Sequence, residues 1–369
     1  MTDPARNILI YRDDLLPKSE VEFMRRQYMS FDALRPLWVG RRVRPWLDQT
    51  AFPIGAQFAG MAGLGFKLTG HVPGLAGLRA LSPALVHAQF GRGGALALPL
   101  AERLGVPLAV TFHGGDVYKG SHYRSFPIPA LFRLRMARLM DYAGLFICVS
   151  EAVRRKLVAR GFPEAKTVVV HIGADRIEPA PRGDAGAGVL FVGRFVEMKG
   201  LDVLADAIIR LRAGGSAERF TLIGHGPDHA RVAARLAGIQ GVDLPGWQAP
   251  EAVRAAMRAA RMVVIPSIIA RSGEAEGLPS VAVEAMGQGV PVIASSDAGL
   301  DGVIASGRNG LLFQSRHDTE LAGHIASLSA DPAQAMALGE AGRQTAAADF
   351  NAARQSAQLQ RLLLNMNRN

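Results

Sequence analysis

Residues 266–295 read PSIIARSGEAEGLPSVAVEAMGQGVPVIAS. Just before them lies the apolar run Met262-Val263-Val264-Ile265, and the stretch closes on a second run, Val290-Pro291-Val292-Ile293-Ala294. Between the two come a polar loop with glycines, then Pro279-Ser280, where a helix begins. Strand, loop, helix and strand make one βα repeat. Short runs apolar on both faces are what strands buried in a parallel sheet require.

The alternation extends outward from this repeat. Upstream are apolar runs at Val189–Val192 and Phe220–Ile223, with helical patterns at Leu201–Ala213 and 251–260. Further back the pattern breaks at 178–188, EPAPRGDAGAG, whose Pro and Gly content reads as a linker. Before that break the alternation appears again. Runs at 7–11, 85–86, Leu108–Phe112 and 145–149 precede a loop with Pro17, His87, His113 and Ser150 respectively. A helix is expected from about Ser19, with Glu22 completing a capping box. Two blocks of βα units in 369 residues predict two doubly wound α/β domains. Their expected bounds are 1–178 and 189–350, joined by a linker at 179–188. A C-terminal helix within 351–369 is expected to pack back on the first domain.

Composition narrows the class. Nearly half the residues are apolar, as in a globular chain. Cys148 is the single cysteine, which excludes an intrachain disulfide framework and points to a reducing compartment. The N-terminal residues lack a basic segment followed by a long apolar run, so no signal peptide is expected. The uncharged stretch 49–66 is interrupted by Pro53 and glycines and reads as buried or interfacial rather than membrane-spanning. Residues 1–180 hold 24 Lys and Arg against 14 Asp and Glu, and the remainder balances at 18 of each. The whole excess of +10 therefore lies in the first half. Such a surface attracts polyanions, although no nucleic-acid-binding motif accompanies it.

In α/β sheets of this kind, ligands gather beyond the carboxyl ends of the strands. After the strand at Val189–Val192 comes Gly193-Arg194-Phe195-Val196-Glu197-Met198-Lys199-Gly200. Glycine lets the backbone approach a ligand, two cations follow, and a helix N-terminus adds partial positive charge. Arg194 can grip phosphate oxygens in a fork, while Lys199 acts as a point charge. No Walker pattern is present, so this is not a triphosphatase loop. Gly224-His225-Gly226-Pro227 forms a second turn of the same type. In 266–295, Glu276 falls at the mouth of the helix and Glu284 about one turn inside it. Without context the pair reads as a cap and a solvated helix face. In a ligand site, Glu276 suits sugar hydroxyls and Glu284 the vicinal hydroxyls of a ribose.

These segments together resemble family 4 of the retaining glycosyltransferases, which have the GT-B fold of two Rossmann-like domains facing across a cleft. The match includes the spacing from Glu276 to Glu284, the run GLPSVAVEAM, the closing GVPVIAS and the GRFVEMKG turn. What the resemblance implies can be assigned by residue. Arg194 and Lys199 correspond to the pair that holds the donor diphosphate. Glu276 corresponds to the glutamate beside the donor sugar, and Glu284 to the one that binds ribose. Gly193, Gly224 and the backbone of Gly277, Leu278 and Pro279 would lie near sugar and phosphates. Gly246 and Trp247 would lie near the base. In the first half, His113 in Thr111-Phe112-His113-Gly114-Gly115-Asp116 resembles the histidine that faces the donor sugar. Ser19, Glu20, His87 and Asp116 would fall on the acceptor side, in segments similar to those of enzymes that build exopolysaccharide, colanic-acid-like polymers and lipopolysaccharide.

The first loop lacks the glycine pair common in the family, and His225 stands where an acidic residue is common. The implied reaction moves a hexose from a UDP- or GDP-sugar, without a bound metal or permanent cofactor, to a glycan or lipid-linked acceptor. The implied location is the cytoplasm, at the inner membrane face. The basic first half would meet anionic lipid through Arg25-Arg26, Arg41-Arg42 and 119–138, with Tyr123, Phe126 and Phe132. The competing readings are a nucleotide-sugar epimerase, a glycan phosphorylase, or a catalytically silent nucleotide-sugar-binding subunit.

Overall fold

The computed structural model describes residues 5–15, 18–44, 47–118, 129–174, 177 and 188–366, without the side chains of 18–20 and 22. The 179–188 linker, apart from Gly188, and residues 119–128 with Tyr123 and Phe126 therefore lie outside the described residues. So do the side chains of Ser19, Glu20 and Glu22. The chain forms two units: residues 1–172 with 352–369, and Gly173–Asn351.

The strands, in chain order, are β1 (Arg6–Tyr11), β2 (Asp14–Leu15), β3 (Leu34–Gly40), β4 (Arg42–Val43), β5 (Ile54–Gln57), β6 (Val86–Gln89), β7 (Leu108–Phe112), β8 (Leu145–Cys148) and β9 (Thr167–Val169) in the first unit. The second holds β10 (Val189–Val192), β11 (Phe220–Ile223), β12 (Val242–Gly246), β13 (Met262–Ile265), β14 (Val292–Ser295) and β15 (Leu311–Phe313). The first unit's main sheet runs β5-β3-β1-β6-β7-β8-β9, and the second unit's runs β12-β11-β10-β13-β14-β15. All pairings in both are parallel. Strand order reverses between β1 and β6, and again between β10 and β13. A doubly wound sheet binds ligands at such a reversal, beyond the carboxyl ends of the two flanking strands.

The helix Leu201–Ala213 shows why these elements form. Leu201, Leu204, Ala205, Ile208 and Leu211 repeat at helical spacing and are buried against the second sheet. Each large side chain contributes about 1.5–3 kcal/mol. Asp202 in the first turn and Arg210 and Arg212 in the last complement the helix dipole.

In the first unit, the helix Ala352–Asn365 lies against the helix Lys18–Tyr28 and buries Leu359 and Leu363 in the core with Ile8, Ile10 and Met24. Gln360 Oε1 accepts from the backbone N–H groups of Asp32, Ala33 and Leu34, each at 3.0 Å. These groups lead into β3. Cys148 is buried, and burial, followed by the nearby Asp116 charge, pushes its thiol up to about 12, so it has little thiolate character. Residues 49–66 form β5 and the start of the helix Gly60–Thr69. Among the described residues no helix is long and apolar enough to cross a membrane.

Several cations expected to face lipid are otherwise engaged. Arg135 is buried and donates to the carbonyl oxygens of Lys67 and Leu68, and Phe132 is buried with it. Arg41 makes a two-pronged ion pair with Asp13, at 2.5 and 3.0 Å. These side chains are held by the protein's own groups, which corrects their expected place on a membrane-facing surface.

Candidate functional site

In the second unit the chain leaves β10 at Gly193 and turns through a short 3-10 segment, Glu197–Lys199. It enters the helix Leu201–Ala213 through Gly200, at φ +66°. This φ favours glycine, and so does the space: a Cβ on Gly200 would lie 1.7 Å from the Pro266 carbonyl oxygen. The loop after β13 thus rests directly on the turn after β10. Ile268 N–H donates to Met198 O at 2.9 Å, and Arg271 N–H donates to Glu197 Oε1 at 3.2 Å. Gly224, at φ +140°, is likewise pressed against the Gly193 carbonyl.

This stitching brings Lys199 Nζ into direct ion pairing with Glu276 Oε1. The Glu276 side chain is 10% exposed and that of Lys199 18%. Ser267 Oγ donates to the same carboxylate oxygen at 3.2 Å, and Ser295 Oγ donates to the Ser267 carbonyl. Glu276 therefore caps nothing. The cap position of the helix Ser280–Gly287 is Pro279, with no side-chain cap bond. Arg194 is exposed and has no ion-pair partner among the described residues. Glu284 is the fifth residue of that helix and half-buried. Gly277 and Pro279 are buried, and Leu278 packs on the core. Gly246 ends β12, followed by Trp247, whose indole is 73% exposed. The arrangement offers an exposed arginine, a lysine fixed by a buried carboxylate, and a glutamate on the helix that follows.

The first unit holds a second cluster at the carboxyl ends of β6 and β7. His113 Nε2 donates to Gln89 Oε1 at 2.7 Å, and the Gln89 amide donates to the Tyr28 hydroxyl. That hydroxyl donates to His87 Nδ1 at 2.9 Å, and His87 Nε2 donates to Thr111 Oγ1 at 2.7 Å. The chain of bonds fixes the His113 tautomer with its proton on Nε2 and the lone pair on Nδ1. The His113 ring lies between Phe23 and Phe90, with centroids at 5.3 and 4.4 Å.

Two acceptor-side expectations change here. His87 is fully buried and serves to orient the network rather than meet an acceptor. Asp116 accepts from Gly91 N–H at 2.8 Å and His113 N–H at 3.0 Å, so its carboxylate clamps the loops after β6 and β7. The reasoning from sequence missed Gln89, Tyr28, Ser267 and Ser295. Gln89 lies two residues after His87, but only the pairing of β6 with β7 shows what it holds.

Burial lowers the His87 imidazole to about 3. Burial, then the nearby Arg12 and His87, lowers His113 to about 3 as well. Both are neutral when folded and regain ordinary values near 6.5 when unfolded. Their contribution to stability is complete above about pH 6.5 and is lost as pH falls toward 3, by about 1.4 kcal/mol per pH unit for each. Urea unfolding at pH 7 and pH 5.5 should therefore show a clearly less stable first unit at the lower pH. A His87→Asn variant should show a shallower slope. Identical slopes would mean that His87 takes up its proton equally in the folded and unfolded chain.

A family model described as "Glycosyl transferases group 1" matches residues 186–331, and one described as "Glycosyltransferase Family 4" matches residues 32–177. A putative colanic acid biosynthesis glycosyltransferase, WcaL of Salmonella typhimurium, is 29% identical over 290 residues, covering 75% of this chain and 69% of that protein. The amylovoran biosynthesis glycosyltransferase AmsK of Erwinia amylovora is 30% identical over 283 residues, covering 72% and 66%. The matched regions thus span about two thirds of these relatives' lengths. Among solved structures, Anabaena HepE in complex with UDP matches with a TM-score of 0.77 at 18% identity, covering 98% of this chain and 100% of HepE. With two parallel α/β units and the two family models together matching more than half its length, the chain belongs to the group 1, family 4 glycosyltransferases and has the GT-B fold.

Proposed function

We propose that the chain moves a hexose from a nucleoside-diphosphate sugar to a glycan or lipid-linked acceptor, with retention of anomeric configuration. The pathway would be that of a bacterial surface polysaccharide, at the inner face of the cytoplasmic membrane. The observation that carries this reading is the buried Lys199–Glu276 pair beside exposed Arg194, at the strand-order reversal of the second sheet. The polysaccharide assignment is supported by the colanic acid and amylovoran relatives, and a uridine donor by the UDP complex of HepE.

In this reading Arg194 and Lys199 hold the donor diphosphate. As the bond from the anomeric carbon to the diphosphate oxygen breaks, negative charge develops on the leaving group, and the two cations stabilise it. The acceptor oxygen bonds to the anomeric carbon on the same face, and its proton passes to the departing diphosphate. Arg194 and Lys199 supply the positive charge, so no metal is required. Glu276, fixed by Lys199 and Ser267, accepts from sugar hydroxyls. In the first unit, the His113 Nδ1 lone pair can accept from a hydroxyl group.

Glu284 is assigned to the ribose hydroxyls. A hydrogen bond to a charged group contributes about 1.5–3 kcal/mol. Glu284→Ala should therefore weaken UDP or GDP binding in calorimetry by at least tenfold. Unchanged nucleotide affinity would end the assignment. The reading as a whole is tested by donor consumption and product formation with purified protein, after a thermal-shift screen of nucleotide sugars.

A further inference from the structure

The loop after β13 holds a place that its side chains do not explain. Ile268 and Ala270 are buried, but Ile269 is 44% exposed and the Arg271 side chain 94%. A segment with such outward side chains gains little from packing and is held through its backbone. On one side Met198 and Glu197 take the N–H groups of Ile268 and Arg271, and Ser295 takes the Ser267 carbonyl. The two polar groups of the Ile269 backbone are met from elsewhere. Its N–H donates to Asp297 Oδ2 at 3.4 Å, and its carbonyl oxygen accepts from Arg316 Nη2 at 2.7 Å.

Asp297 follows β14 and Arg316 follows β15, and the two loops are tied together. Ser315 N–H donates to Ser296 Oγ at 3.1 Å, and Ser315 Oγ donates to the same Asp297 oxygen at 2.5 Å. Asp297 and Arg316 therefore grip Ile269 as a joined pair. Arg316 sits at φ +65°, in the left-handed region where a Cβ is strained. Glycine would rest there without strain, and asparagine with little. Either would keep the turn and lose the guanidinium. Strained residues of this kind persist where the surrounding structure demands them, and they cluster at functional sites. Here the guanidinium goes to the Ile269 carbonyl.

We propose that Arg316, with Asp297, is a positioning residue of the donor site. By fixing the Ile269 backbone it holds Ser267, two residues earlier, where the Ser267 hydroxyl donates to Glu276. The proposal rests on the sugar-transfer reading and adds to it a residue that acts on Glu276 through Ser267.

The test is Arg316→Gly in the full chain, with three readouts. Relief of the strain should hold or raise the thermal midpoint. Loss of the tether should quicken amide hydrogen exchange across residues 266–276 and lower kcat by about threefold or more. A residue that merely supported the fold would lose midpoint and turnover together. Arg316→Asn, which also tolerates the left-handed backbone, should repeat the result. Arg316→Lys, which keeps a cationic donor, should stay closer to the parent in exchange and turnover. Ser82, at φ +48° in the first unit, is the matched control. Ser82→Gly relieves the same kind of strain and should leave loop exchange and turnover unchanged. Parent-like exchange and turnover in Arg316→Gly would overturn the proposal, and so would a midpoint that falls in step with turnover. Exchange and midpoint need no sugar transfer, which separates two failures. Faster loop exchange in a chain that transfers no sugar would sink the transfer reading and leave the tether standing. Unchanged exchange in an active chain would sink the tether alone.

Discussion

Replacing Lys199 by alanine is expected to lower turnover at least tenfold and to destabilise the second unit by about 3–5 kcal/mol. The first effect follows from its proposed work on the leaving diphosphate, where each decade of rate corresponds to about 1.4 kcal/mol. The second follows from geometry. Lys199 is the cation paired with Glu276, whose side chain is only 10% exposed. Its loss leaves a buried carboxylate held by the Ser267 hydroxyl. Removing one partner of a buried pair costs more than the pair contributes, because the other charge is stranded. Adding Glu276→Gln to Lys199→Ala should restore much of the thermal midpoint without restoring turnover. Turnover must be measured well below the variant's midpoint, so that only folded protein is compared. Near-normal turnover of folded Lys199→Ala would remove Lys199 from the chemistry.

The second large effect is expected at Gly200. A methyl group there would lie 1.7 Å from the Pro266 oxygen, far inside contact distance, and φ +66° disfavours any side chain. The φ preference alone is worth about 1 kcal/mol. The clash can be relieved only by moving the loop after β13, which carries Ser267 and Glu276. Gly200→Ala should therefore cost more than 3 kcal/mol and abolish activity through displacement of the Lys199–Glu276 pair. Gly215, at φ +81° with nothing within 4 Å of a built Cβ, is the matched control. Gly215→Ala should lose only about 1 kcal/mol and keep full activity. Equal losses in the two variants, by urea unfolding, would show that the φ term and not the loop contact dominates.

How much of this was legible in the sequence depended on burial. Runs such as Val189–Val192 and Met262–Ile265 are strands from end to end, because strands covered on both faces read as unbroken apolar segments. β12 leaves a fainter trace, because its residues alternate between half-buried and exposed and include Pro245. β3 was hidden by Pro36, which ordinarily argues against a strand interior. The site was legible as residue types at turns, since Arg194, Lys199, Glu276 and Glu284 all follow strand ends. Their mutual contacts were not. That Glu276 is buried and paired with Lys199 depends on a close approach of two loops, which a sequence marks only by a glycine at position 200. His87 was placed on the acceptor side by the resemblance of its segment, while the apolar run before it is also what a fully buried histidine leaves.

The helix Ala352–Asn365 gives the chain an unusual order of completion. A polypeptide emerges from the ribosome N-terminus first, and domains ordinarily fold in that order. Here the second unit is contiguous and has all its strands once Asn351 has been made. The first unit, begun earlier, still lacks the side chains of Leu359 and Leu363 for its core. The N–H groups of Asp32, Ala33 and Leu34 also still await Gln360. The unit that starts first is therefore the one that closes last. A shortened chain ending at 351 would leave a finished second unit tethered to an unsealed first one.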